Sequence, residues 1–249
     1  MDKPRTVIQV KALHKALGGK RVLRGVDLDV RRGEILVIIG RSGCGKSVLL
    51  RHLIGLVRPD AGQVVVEGIA IEGLAERRLE PLRLQFGMLF QDAALFDSLT
   101  VFENVAFALR EHTHMGPDAV RKRVGLCLAR VGLEGVEEHY PETLSGGMKK
   151  RVGLARAIAL SPKIILYDEP TSGLDRLTGQ GINALILALN NALGVTSVVV
   201  THDIESALSI ATRIALLERG RVAALGTPQE LQALEDKTVQ AFLAKRSEP

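Results

Sequence analysis

The sequence has no tryptophan, two tyrosines and six phenylalanines, so aromatics make up only 3 % of its 249 residues. Single-strand nucleic-acid platforms pair a basic stripe with stacking aromatics, and this supply is too thin for one. The basic clusters Lys20-Arg21, Arg31-Arg32 and Lys149-Lys150-Arg151 are short and scattered. They read as solvated faces behind a net charge of +5, and no direct nucleic-acid partner is expected. Cysteine is scarce too. Cys44 and Cys127 share neither a C-x-x-C nor a metal-ligand spacing, which suits reduced thiols in the cytosol. No run approaches the roughly 18 uninterrupted apolar residues of a spanning helix. Residues 1–5 lack the apolar core of a signal peptide. With 46 % hydrophobic residues the chain has enough material for a large core, read as one domain with a sub-lobe.

What is present begins with Gly40-Arg41-Ser42-Gly43-Cys44-Gly45-Lys46-Ser47, which fits the phosphate-binding pattern G-x-x-x-x-G-K-[ST]. Backbone N–H groups wrap phosphates in such a loop, and glycines permit close approach and positive φ. Lys46 suits the β- and γ-phosphates, the Ser47 hydroxyl suits Mg²⁺, and Val48 continues the binding segment. Cys44 reads as a small filler within the loop. The context agrees: residues 34–39 read as a buried parallel strand, and residues 47–56 as a helix whose positive end faces the loop.

Strands are predicted over residues 7–10, 22–30, 64–66, 86–90, 164–167 and 197–200, with a hairpin over 214–217 and 221–225. Residues 100–160 carry helices only, with Val101, Val105 and Leu109 on one face and Pro117 opening a further helix. A helix follows over 177–193, and Thr227-Pro228-Gln229-Glu230 matches a capping box. Val239, Phe242 and Leu243 form an apolar stripe near the end of the sequence.

Two further groups carry chemistry. Asp168-Glu169 ends an apolar strand, where the first acid suits Mg²⁺ and the second an attacking water. Ser145-Gly146-Gly147 opens a helix and offers a second anion site made of backbone N–H groups. One ATP does not need two phosphate cradles from one chain, so a head-to-tail homodimer is expected, with the Ser145 loop of one copy over the ATP held by Lys46 of the other.

With these motifs in this order the chain resembles the ATP-binding cassette (ABC) ATPases over nearly its whole length. The resemblance implies an α/β P-loop core with a mostly parallel sheet, an antiparallel β edge subdomain and a helical signature subdomain. It implies one ABC domain over residues 5–246, with the core and β subdomain in 5–91 and 161–227, the helical subdomain over about 92–160, and a helical tail over 228–249. It makes Gln91 the glutamine that senses Mg²⁺, water and the membrane partner. Asp175 becomes the aspartate that crosses the dimer interface, and His202 the histidine at the γ-phosphate. The block 87–96, the segment 109–113, Met148, Lys149-Lys150-Arg151 and the ending 239–243 are similar to the ATPases of MCE-type lipid transporters, including Mla and toluene-tolerance systems. That subfamily implies lipid transport, a membrane permease, a periplasmic MCE-domain protein and a place on the cytoplasmic face of the inner membrane. An importer for a polar solute shares every catalytic residue. A nucleic-acid or ribosome-associated cassette is disfavoured by the single cassette and the short segment between P-loop and signature. Two positions depart from the family: Leu17 stands where an aromatic usually stacks on adenine, and Arg176 where proline commonly follows the aspartate.

Overall fold

Strands β1 (Thr6–Leu17) and β2 (Lys20–Arg31) form an antiparallel hairpin closed by Gly18 and Gly19, at φ 55° and 78°. A two-residue hairpin turn needs left-handed backbone at both positions, which glycine takes without strain. The hairpin runs further than residues 7–10 suggest, because β1 carries a bulge. Ala12 has φ 44°, and its N–H is taken by Asp27 Oδ1 at 2.8 Å. The bulge breaks the alternation on which strand prediction depends.

The computed structural model describes residues 5–243. The chain divides into two units, one holding the chain up to Arg83 and again from Thr196, the other Leu84–Val195. In the first, β3 (Ile35–Ile39) is wholly buried and leads through the glycine loop into α1 (Lys46–Leu53). Then come β4 (Ala61–Val66), β5 (Ile69–Ala70) and α2 (Glu76–Arg83). The order β2-β1-β4-β5 makes a four-stranded antiparallel sheet.

The second unit begins with β6 (Phe86–Leu89), α3 (Val101–His112) and α4 (Pro117–Arg130). A capping box between Thr100 and Glu103 starts α3, and Val101, Val105 and Leu109 are buried as their spacing requires. Next are α5 (Gly146–Ala157), β7 (Ile164–Asp168) and α6 (Arg176–Leu193), with β6 and β7 parallel.

The chain returns to the first unit with β8 (Thr196–Thr201), α7 (Ile204–Ile210), β9 (Arg213–Glu218), β10 (Arg221–Gly226), α8 (Pro228–Ala233) and α9 (Lys237–Leu243). β8 and β9 both run parallel to β3, and β10 pairs antiparallel with β9. β3 and β8 are buried along their whole lengths, as strands covered on both faces should be. The capping box at Thr227 and Glu230 starts α8. Val239 is buried and Phe242 half-buried, so the α9 stripe packs within its own unit, while the Leu243 side chain lies outside the described residues.

Candidate functional site

The glycine loop follows β3. Gly43 and Gly45 have φ 75° and 109°, values that a side chain makes costly. Gly40 and Gly45 are fixed by packing instead. A Cβ on Gly40 would meet Leu217 O at 2.4 Å and Cys44 Sγ at 2.6 Å; one on Gly45 would meet Leu23 Cδ2 at 2.9 Å. Gly45 is the N-cap of α1 and gives no side-chain cap, and the first turn carries no acid. Helix geometry leaves the first N–H groups of α1 without intrahelical acceptors, a donor set that fits phosphate. The Lys46 ammonium donates to Gly40 O at 2.8 Å and Arg41 O at 3.4 Å, which holds the buried side chain across the loop. Arg41, Ser42 and Gly43 are exposed, while Cys44, Ser47 and Val48 are half-buried. A cavity of about 510 Å³ lies on the flank of the loop, walled by Arg41–Cys44, the end of β9 and Ala241 and Phe242 of α9.

Parallel pairing brings His202 to the same end of the sheet. Ile39 is in register with Thr201, so Gly40 and His202 each stand one residue past the paired ends. The buried Thr201 hydroxyl accepts the Asp203 N–H at 3.0 Å, and Asp203 caps α7 through the Ser206 N–H. The exposed His202 is thereby held in a tight strand-to-helix turn.

Leu17 closes β1 and is 46 % exposed. Its position is set by Asp60, whose carboxylate accepts from Lys15 Nζ at 2.7 Å and from the Ala16 N–H at 2.6 Å. Those bonds, led by the Lys15 one, hold the Asp60 pKa below the usual carboxylate value.

In the second unit the register of β6 and β7 places Leu89 opposite Tyr167, so Gln91 and Glu169 lie at equal distances beyond the paired ends. Asp168 ends β7 and is 7 % exposed; Glu169 is half-buried with φ 47°. The Lys150 ammonium, from α5, donates to Gln91 O and, at 3.3 Å, to Glu169 O. Lys150 therefore does not belong to a solvated face as its basic cluster suggests. It is 4 % exposed, and neighbouring Arg151 donates to Val131 O at 2.7 Å. Lys20, Arg21 and Arg32 are exposed as expected.

Ser145 is the N-cap of α5, its hydroxyl accepting the Met148 N–H at 3.3 Å. Ser145 and Gly146 are exposed and Gly147 is buried. Asp175 is the N-cap of α6, accepting from Thr178 N–H at 3.0 Å and Thr178 Oγ at 2.6 Å. These bonds hold the Asp175 pKa below its ordinary value. Arg176 is then the first helical residue, where proline is favoured because the N–H has no helical acceptor. An arginine there keeps the same helix start.

Three contributors escape a motif-based reading: Asp60, Lys150 and Arg156, whose guanidinium donates to Ala93 O and Ala94 O at 2.7 Å each. For Lys150 the signal was present. Gly147, Lys150, Leu154 and Ala157 fall at helical spacing and share the buried face of α5.

Comparison with known proteins now identifies the family. The sequence pattern of the family described as ABC transporter matches residues 23–172. The chain is 41 % identical over 97 % of its length to the intermembrane phospholipid transport system ATP-binding protein MlaF of Haemophilus influenzae, covering 92 % of that protein. It is 41 % identical to the probable ribonucleotide transport ATP-binding protein mkl of Mycobacterium leprae, over 96 % of this chain and 69 % of that one. A solved dimeric post-hydrolysis state of the ATP-binding cassette MJ0796, bound to ADP and Pi, superposes with a TM-score of 0.82 at 37 % identity, covering 89 % of this chain and 98 % of that one. The cbiO1 structure from Clostridium perfringens, part of the ABC transporter complex cbiONQ, gives a TM-score of 0.85 at 30 % identity over 98 % of this chain and 96 % of that one. The chain belongs to the ABC transporter family, as an ATP-binding cassette that hydrolyses ATP.

Proposed function

We propose that the chain energises a lipid transporter, with two copies closing head-to-tail over ATP and driving a separate membrane permease. The observation that carries this reading is the presence of two phosphate-suited helix starts in one chain, the glycine loop before α1 and the Ser145 cap of α5. A closed homodimer uses both, each copy offering its Ser145, Gly146 and Gly147 to the nucleotide on its partner's Lys46 loop, with Asp175 at the interface. Lipid as cargo is supported by the likeness to MlaF, an intermembrane phospholipid transport system ATP-binding protein. The likeness to mkl, a probable ribonucleotide transport ATP-binding protein, favours a second reading, a polar solute.

In this mechanism the loop N–H groups and Lys46 bind and orient the triphosphate, with Leu17 against the base. Glu169 aligns water for in-line attack and takes up its proton, and His202 holds the γ-phosphate. Mg²⁺, when bound, neutralises charge developing on the phosphates. Ser47, Asp168 and Gln91 supply the hard oxygen donors it prefers. Among the described residues no three His, Cys, Asp or Glu side chains gather into a metal cluster.

Five residues after Gln91, the exposed Phe96 ring lies 5.0 Å from that of Phe107 at a tilt of 46°, an apolar surface offered to the permease. No helix among the described residues is long and apolar enough to cross a membrane. A place on the cytoplasmic face of the inner membrane, against that permease, belongs to the same reading and is supported by the likeness to MlaF. A periplasmic MCE-domain protein completes the proposed system.

The test is co-purification of the chain from membranes with its permease, followed by mass spectrometry of bound lipid and ATP turnover by wild type and Glu169→Gln. Bound phospholipid, and a Glu169→Gln complex that binds ATP but turns it over at least about 100-fold more slowly, are expected. Near-normal turnover by Glu169→Gln removes that residue from its role. A complex free of lipid that stimulates on a polar solute supports the second reading.

A further inference from the structure

The ATP chemistry accounts for the carboxylates and the glycine loop but leaves Lys150 unused. It is a buried lysine whose ammonium donates to two backbone carbonyls, those of Gln91 and Glu169. Both carbonyls belong to segments under conformational strain. Glu169 has φ 47°, and Ala93 and Ala94, just after Gln91, have φ 58° and 47°. Side-chain-bearing residues hold such values only where the surroundings impose them. The surroundings are α5. Lys150 grips Gln91 and Glu169, and Arg156, under two helical turns further on, grips Ala93 O and Ala94 O. Gly153 lies between them, and a Cβ there would stand 2.7 Å from Leu89 Cδ1 and 3.4 Å from Ala93 Cβ. The helix is thus seated as closely as its backbone allows.

A buried ammonium is costly unless its donors are satisfied. Burial pushes the Lys150 pKa below the ordinary lysine value, against the pull of Asp92, Glu169 and Asp168. A methionine would fill the same face of α5 but would take this donor from the Gln91 and Glu169 carbonyls, so the charge serves those two backbones rather than the packing of the helix.

We propose that Lys150 is a positioning residue for ATP hydrolysis. Its ammonium fastens the backbone of Gln91 to that of Glu169, so that the segment facing the permease and the carboxylate aligning water move together. This rests on the roles given above to Gln91 and Glu169. It also gives the helix that begins at Ser145 a second task, that of holding the hydrolytic residues of its own chain.

The test compares wild type, Lys150→Met and Lys150→Arg as full-length protein. Hydrogen–deuterium exchange reads residues 90–95 and 168–174, where the Ala93 N–H bonds to Phe90 O and the Ser172 N–H to Glu169 O. Lys150→Met should speed exchange in both segments together, leave residues 46–53 unchanged, and return to the wild-type pattern in Lys150→Arg. In the permease complex its kcat should fall about 10- to 100-fold with KM for ATP within about twofold, and Lys150→Arg should recover most of the loss. If Lys150→Met does not fold, Lys150→Gln, a neutral donor, replaces it with the same expectations at smaller amplitude. Unchanged exchange in either segment, a kcat within about twofold of wild type, or a loss confined to KM overturns the proposal. A wild-type complex without ATP turnover would instead sink the functional reading, while the exchange result would still judge the Lys150 link.

Discussion

A Cβ added to Gly147 would lie 2.5 Å from Thr178 Cγ2, so the start of α5 and the start of α6 meet across a glycine that leaves no room for a methyl while Thr178 is in place. Thr178 is also the residue whose N–H and hydroxyl are held by Asp175. Gly147 and Asp175 therefore both meet Thr178. Gly147→Ala should destabilise the protein by about 1–3 kcal/mol through overpacking and depress ATP turnover. Thr178→Ser removes the colliding methyl and keeps the hydroxyl, so Gly147→Ala/Thr178→Ser should regain most of the stability. Urea denaturation of the single and double variants checks this; a double variant no better than Gly147→Ala would place the cost elsewhere.

In the first unit a buried ion group ties three segments. The Arg213 guanidinium lies 3.2 Å from Asp29 Oδ2 and 3.3 Å from Glu34 Oε1, with the Arg213 and Glu34 side chains 7 % and 5 % exposed. Burial raises the Glu34 pKa above the usual carboxylate value even with the guanidinium beside it. Arg213→Met takes the guanidinium from that carboxylate, which keeps the Arg31 N–H at 2.7 Å, and should cost about 3 kcal/mol, whereas Arg213→Met/Glu34→Leu should recover at least half. A carboxyl whose folded pKa exceeds its unfolded one binds protons more readily when folded, so its penalty is present at neutral pH and fades as pH falls through the folded value. The gap between wild type and Arg213→Met should therefore narrow between neutral pH and about pH 5. A gap that widens would contradict the assignment to Glu34.

Most of this architecture was legible because local chemistry and global fold agree. The glycine loop, the apolar runs of β3, β7 and β8, and the cap at Thr227 each announce themselves within a few residues. What was hidden depends on distant partners. The β1 bulge at Ala12 is satisfied by Asp27 on the next strand, and the end of β1 is held by Asp60. Lys150 was misplaced because charge was weighed before periodicity: its triplet looks solvated, yet its position on α5 is a core position.

Assembly is testable through complementation. Ser145 is exposed at the N-cap of α5, whereas Lys46 is buried across its own loop. Lys46→Ala should abolish nucleotide binding in its own site, and Ser145→Arg should block the site of its partner. Mixed in equal amounts, the two variants should form heterodimers with one working site and recover activity that neither parent shows. Heterodimers that form without recovery would show either that Ser145 acts on its own chain or that two intact sites are required.

The last expectation concerns the base. Leu17 is an exposed aliphatic residue at the end of β1, held through Ala16 by Asp60. A stacked aromatic contributes about 1–3 kcal/mol per base in single-strand binding, which is a usable guide to a nucleotide pocket. With leucine there instead, most of the affinity falls to the triphosphate and the loop, so ATP and GTP should bind with similar strength. Leu17→Tyr should tighten ATP binding by a few-fold or more and leave the hydrolytic step unchanged. Asp60→Asn should remove that gain when combined with Leu17→Tyr, because the ring would no longer be held in place. The depressed Asp60 pKa means that its anchoring is complete above the ordinary carboxylate range and is lost only as pH falls through the folded value, so assays near neutrality see it whole. Competition titrations of ATP and GTP on wild type, Leu17→Tyr and the double variant decide the matter. A strong wild-type preference for ATP would assign the base contact to another residue.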